Sequence, residues 1–292
     1  MPSVTQTKVK PKLKKKVSSG DSWDNLEKLT AEPEGNLKIL IYGRSGTGKT
    51  TFWGTFPGPI LVLVCSGGVK SGECLTLKDK KLLAKKDIFP HLVKSSVEID
   101  EFIAKQAETN RFRTVVIDHV TGLQDKVLAE ILDIDELPVQ KAWGTAAQSD
   151  YQQCTAQCKE HFKRMLNLDC NVVFIGQERD FNNDEESRSG GIQPYVAAAL
   201  TPSLVGWLNP ACDYIVQTVI RPKMVEKRMK FKGKTSVKMT RVEGEVEYVA
   251  NIAPHEVVMT KFRVPKSHKM PKCIIDPSYD KIMALLSGSA DV

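Results

Sequence analysis

Within "ILIYGRSGTGKTTF", residues 39–52, Gly43, Gly48, Lys49 and Thr50 stand at the spacing G-x-x-x-x-G-K-[ST]. That grouping suits a polyphosphate, which needs backbone rather than side chains packed close around it. Gly43, Gly46 and Gly48 carry no Cβ and can curl successive N–H groups around an anion. A helix starting near Gly48 adds its positive dipole end. The expected cradle is Gly43, Arg44, Ser45, Gly46, Thr47, Gly48, Lys49, Thr50 and Thr51. Lys49 reaches for the β and γ phosphates of ATP, and the Thr50 hydroxyl for Mg²⁺. "TVVID", 114–118, supplies the second metal-side group: Asp118, ending a strand, would hold the Mg²⁺ hydration shell opposite Thr50.

These residues need a strand–loop–helix frame, and the flanking sequence provides it. "LKILIYG" reads as a first strand, followed by a helix from about Gly48 that Pro57 stops. "ILVLV" (60–64), "TVVID" (114–118) and "NVVFIG" (171–176) read as further buried strands. Val97, Ile99, Phe102 and Ile103 fall on one helical face, and Val120, Leu123, Val127, Ile131 and Ile134 on another. A long helix runs from about Ala146 to Leu168. Lys78–Lys86 reads as a charged, solvated stretch. Strands alternating with helices predict an α/β fold with a mainly parallel sheet covered on both faces. Past residue 210, "DYIVQTVI", "VEYVAN" and "VVMTKFRV" predict strands joined by turns, a C-terminal antiparallel extension.

The 292 residues suit one large domain with appendages, expected as a basic tail over 1–22 and a nucleotide-binding domain over 23–292, its core at about 36–220 and a β extension at 221–292. No apolar run approaches the roughly 18 residues of a membrane span. Seven scattered cysteines argue for a reducing compartment, and a cytoplasmic location is the expectation. The net charge of +7 is unevenly spread. "KVKPKLKKK" precedes the first acid, Asp21, and is open between a solubilising tail and a nucleic-acid arm. Residues 221–241 carry nine basic residues against one glutamate. They read as a β-ribbon turning near Gly233, with Lys227, Arg228, Lys230, Lys232 and Lys234 as candidate nucleic-acid contacts and Phe231 as a stacking face. Cys154, Cys158 and His161 lie at helical spacing and could offer three zinc ligands. Tyr151, Phe162 and Met165 continue their stripe, however, so that face reads as core.

With the loop, "TVVID" and "NVVFIGQER" in this order, the chain resembles the RecA-like ATPases, and more narrowly the phage-encoded RecA/AAA-type proteins that include the Sak-group single-strand-annealing ATPases. The resemblance runs from about residue 36 to 287 and implies a RecA-like P-loop core. It implies that Gln177 senses the γ-phosphate and relays it to a DNA-facing loop, "ERDFNNDEESRSGGIQP", in which Arg179 and Arg188 are the contacts. It also implies that Lys261 and Arg263 of "TKFRVP" reach the γ-phosphate of a neighbouring subunit in a ring or filament. Single-stranded DNA and further copies of the chain are the implied partners, with a single-strand-binding or other recombination protein as a further candidate.

One departure stands out. Relatives often carry a glutamate before two glycines at the end of the second strand, to activate water, whereas this chain reads "VCSGG". Ser66 cannot act as that base, and Glu73 and His119 are weakly placed substitutes. Three readings remain open: a recombination ATPase, a nucleotide-binding module that does not hydrolyse, and a small-molecule P-loop kinase.

Overall fold

The computed structural model describes residues 35–66, 87–134, 146–181, 194–231, 234–264, 268 and 270–288, with backbone alone for 226–239. Its strands are β1 (Lys38–Gly43), β2 (Ile60–Val64), β3 (Ile88–Leu92), β4 (Thr114–Asp118), β5 (Asn171–Phe181), β6 (Tyr195–Ala198), β7 (Tyr214–Phe231), β8 (Lys234–Asn251) and β9 (Cys273–Ile275). Its helices are α1 (Lys49–Trp53), α2 (Ser96–Thr109), α3 (Val120–Ile131), α4 (Gln148–Leu166), α5 (Pro202–Ala211) and α6 (Tyr279–Ser287).

The strands form one sheet in the order β3-β2-β4-β5-β1-β7-β8-β9, with β6 added antiparallel to the end of β5. From β3 through β7 every pairing along that path is parallel; β8 and β9 are antiparallel additions. Parallel strands buried on both faces need apolar side chains at consecutive positions, as "ILVLV" provides. Successive side chains then alternate between two cores. Leu40, Tyr42, Leu63, Ile117, Val172 and Phe174 face one core, filled by α2, α3, α4 and α5. Ile39, Ile41, Val62, Val116, Val173 and Ile175 face the other, filled by Phe52 and Trp53 of α1 and by Ile282, Leu285 and Leu286 of α6. This is the predicted three-layer α/β architecture with a RecA-like strand order: β5 is inserted between the phosphate-loop strand β1 and the acidic strand β4.

Several local expectations are corrected. "VVMTKFRV" is not a strand; it makes only two isolated bridges, Val196 to Val258 and Ile215 to Lys261. Val97, Tyr151 and Ile134 are exposed rather than on their helices' buried faces. The helix after the loop is only Lys49–Trp53, ended at Gly54 ahead of Pro57. Cys154 and Cys158, by contrast, are core residues as their stripe suggested, and His161 Nδ1 lies 3.0 Å from Asp100. The antiparallel extension is a long ribbon, with β7 paired to β8 from Gln217–Asn251 out to Phe231–Lys234. Its register slips between Pro222 and Met224, where proline has no N–H to give the ladder. No helix among the described residues is long and apolar enough to cross a membrane.

Candidate nucleotide site

The alternation that builds the two cores also decides which polar residues meet. Gly43 follows Ile41, Asp118 follows Val116, Gln177 follows Ile175 and Thr218 follows Val216, so all four fall on the α1 side of the sheet. The ladders fix their heights: Asp118 is level with Ile175, and Gly43 is level with Gln177 and with Thr218. Loop, acid and glutamine therefore converge at the carboxyl ends of β1 and β4, where the strand order of an open α/β sheet leaves a crevice. β5 does not end at Gly176 as expected but runs on through Gln177 to Phe181, so Glu178–Phe181 of the expected DNA-facing loop are strand, paired with β6.

Inside the loop, Gly46 and Gly48 have φ of 80° and 88°, the left-handed region that glycine enters at little cost. Gly43 is required for a different reason. A Cβ there would lie 2.3 Å from the Thr218 carbonyl oxygen of the neighbouring strand. Thr47 Oγ1 sits 2.7 Å from Thr218 Oγ1 and donates to the Arg44 carbonyl, fastening the loop to β7. The Lys49 side chain is buried and folds back into the cradle, its Nζ donating to the carbonyls of Gly43 and Arg44 at 2.7 Å each. The ammonium is thus held against the loop that would cradle a polyphosphate. Thr50 and Thr51 open the first turn of α1, behind Gly48 as the N-cap. Ser45 is an exposed loop residue. The donors present, backbone N–H groups, an ammonium, a threonine hydroxyl and one carboxylate, fit a nucleotide with a hard cation.

Ser66 lies just past the end of β2 and close to the first turn of α3: a Cβ on Gly122 would come within 2.8 Å of Ser66 Cβ. His119 caps α3, its Nδ1 accepting from the Gly122 N–H at 3.0 Å. Burial, and secondarily the charge of Lys49, lowers its pKa, so the ring is neutral near pH 7. A folded-state pKa below the unfolded value gives stability that is complete above the unfolded value, near 6.5, and lost as pH falls through the depressed folded value. Denaturant unfolding at pH 7.5 and pH 5 should show that loss, and His119→Asn, which keeps a capping acceptor that cannot titrate, should flatten it. An unchanged pH profile in that variant would place the titration elsewhere.

Sequence reasoning missed one network. Arg44 Nε lies 3.1 Å from Glu178 Oε1, Gln217 Nε2 donates to Glu178 Oε2 at 2.9 Å, and Asn251 Nδ2 donates to Gln217 Oε1 at 2.9 Å. Glu178 thereby ties the phosphate loop to β7 and β8. Its only signal was its place beside Gln177. Burial, reinforced by the neighbouring Glu178 charge, raises the Tyr42 phenol pKa, and its OH donates to the Met259 carbonyl.

The other predicted residues lie apart from the cradle. Arg179 is exposed, its guanidinium 5.2 Å from the centroid of Phe181, which stacks on Tyr195 at 4.9 Å and 7°. Lys261 Nζ donates to the carbonyls of Asn209, Pro210 and Cys212, capping the C-terminal end of α5 within its own chain. Arg263 is 63% exposed and 3.4 Å from Asp213. On the ribbon, Arg221 pairs with Glu247 and Lys223 with Glu245, so two of the nine basic residues are neutralised at its base. Arg188, Lys232, Glu73, Lys78–Lys86 and the tail lie outside the described residues, as do the side chains of Lys227, Arg228, Lys230, Phe231 and Lys234.

Fold and site together define a RecA-like P-loop protein, with a nucleotide-binding architecture. The chain belongs to the AAA domain family AAA_24, whose profile matches residues 35–264. No curated protein matches it. Among solved structures it is similar to the flagellar accessory protein FlaH from Methanocaldococcus jannaschii, at 11% identity over 84% of this chain and 86% of that one, TM-score 0.40. It is also similar to the RadB recombinase, at 16% identity over 72% of this chain and 85% of that one, TM-score 0.38.

Proposed function

We propose that this protein binds ATP with Mg²⁺ and acts in DNA recombination or single-strand annealing, assembling as an oligomer on single-stranded DNA. The observation that carries the nucleotide reading is the convergence of Lys49, Thr50, Asp118 and Gln177 on one side of the sheet at its carboxyl edge. Lys49 and the loop N–H groups would hold the β and γ phosphates, while Thr50 and Asp118 would hold the Mg²⁺ shell. The DNA part rests on the resemblance and on the charge of the ribbon beyond its neutralised base. Within an oligomer, Arg263 is the better candidate for a residue acting across the interface, because Lys261 already serves a helix end in its own chain.

A second reading has one observation in its favour. The position where a carboxylate base is expected holds Ser66, so the nucleotide could stabilise an assembly without being turned over. Phosphate release with and without single-stranded DNA, alongside negative-stain imaging with a non-hydrolysable ATP analogue, separates the two. DNA-stimulated release with ordered assemblies supports the recombination ATPase. Assemblies that need nucleotide but release no phosphate support the second reading. Nucleotide binding with neither assembly nor DNA association overturns both.

A further inference from the structure

The strand order gives a bound nucleotide a direction. Asp118 and Gln177 lie on the β4/β5 flank of β1, so the terminal phosphate belongs there. The remainder of the molecule must then leave the loop on the other flank, toward β7 and β8. That wall differs in character from the rest of the site. Where the loop turns into α1, a Cβ on Gly48 would lie 3.1 Å from Tyr248 Cδ1, so the Tyr248 ring lies against the loop. Tyr248 is nevertheless 38% exposed, and its cross-strand partner Ile220 is 43% exposed. The next pair outward on the same face, Pro222 with Val246, continues the apolar strip, Val246 being 55% exposed. An aromatic ring backed by an exposed aliphatic pair, beside a cradle built for charge, divides this surface into a polar and an apolar half. A nucleotide has the same division.

We propose that Tyr248, supported by Ile220, is the platform on which the base of the loop-bound nucleotide stacks. This rests on the nucleotide reading given above. Stacking on a tyrosine face is tolerant of base identity, because every base has a π face. A single aromatic–base stack is worth about tenfold to a hundredfold in affinity. Contiguous exposed apolar residues mark ligand or partner surfaces; Ile220 and Val246 are exposed beside the ring, and the base of a loop-bound nucleotide would cover them.

The test compares two ligands that share the phosphate chain and differ in the base. Calorimetric titrations of the full chain with Mg-ATP and with magnesium tripolyphosphate are run on the wild type, Tyr248→Ala and Tyr248→Phe. The expected result is a loss of about tenfold to a hundredfold for ATP alone in Tyr248→Ala, with tripolyphosphate unchanged and Tyr248→Phe near wild type for both. Equal weakening of both ligands would mean that Tyr248 shapes the loop, and the platform is overturned. So is it if ATP affinity is untouched, and a change in self-association would then give the strip to a protein interface. A wild type that binds tripolyphosphate as tightly as ATP overturns the platform and leaves the phosphate loop standing. Binding of neither ligand removes the nucleotide reading itself, and the platform with it.

Discussion

Lys49→Ala should weaken Mg-ATP binding by about 10²–10⁴-fold while leaving the protein folded. Hydrogen bonds to a charged group contribute about 1.5–3 kcal/mol each, and an ammonium over the cradle is positioned to give one to each of two phosphates. Each 1.4 kcal/mol is tenfold in affinity, so two such bonds set the expected range. The cost to folding is smaller for a structural reason. Lys49 Nζ presently serves the carbonyls of Gly43 and Arg44. Both belong to the loop, whose other fastenings, Thr47 to Thr218 and Arg44 to Glu178, do not involve the lysine. Calorimetric titration reads the affinity and thermal unfolding the stability. Unchanged ATP affinity in a folded variant would remove the phosphate-loop assignment.

The loop and the acidic strand were legible in the sequence because their chemistry is local. Glycines at Gly46 and Gly48 answer to backbone conformation within a few residues, and "TVVID" is a buried strand ending in a carboxylate. Strand positions followed from apolar runs, and the alternation of faces followed from the strands. What could not be read depended on pairing between distant strands. The Glu178 carboxylate reaches Arg44, 134 residues away in the chain, only because β5 lies beside β1. Tyr248 touches Gly48 only because β8 returns along β7. "IFPHL" was missed as strand β3 because it is short, edge-placed and interrupted by Pro90, which an edge strand tolerates. "VVMTKFRV" failed the other way. Its β-branched content suits a strand, but β7 is already flanked by β1 and β8, leaving only an isolated bridge at Ile215.

Single-stranded DNA should bind with a log–log salt slope of roughly −3.5, corresponding to about five neutralised phosphates and a loss of about a hundredfold between 50 and 200 mM salt. The ribbon is the expected source of most of that charge. Paired strands put Lys227 opposite Lys238, and Met224 opposite Arg241, on a projection that leaves the sheet beyond the Pro222 irregularity. Like charges at directly opposed positions destabilise a ladder, so this placement costs stability that a phosphate backbone would restore. At the base the cost is already met internally, by Glu247 for Arg221 and Glu245 for Lys223. The other seven basic residues of the ribbon sequence lie further out, at 227–241, and reversal of Lys230, Lys232 and Lys234 to glutamate should flatten the slope sharply. Deleting residues 1–16 should weaken binding less. Arg221→Ala should scarcely alter the slope, since that guanidinium already has a carboxylate partner. Titrations of a labelled single strand at several salt concentrations check all three variants. A slope that survives the triple reversal would free the ribbon from DNA contact, and a slope that collapses with Arg221→Ala would show that its base, rather than its tip, carries the phosphates.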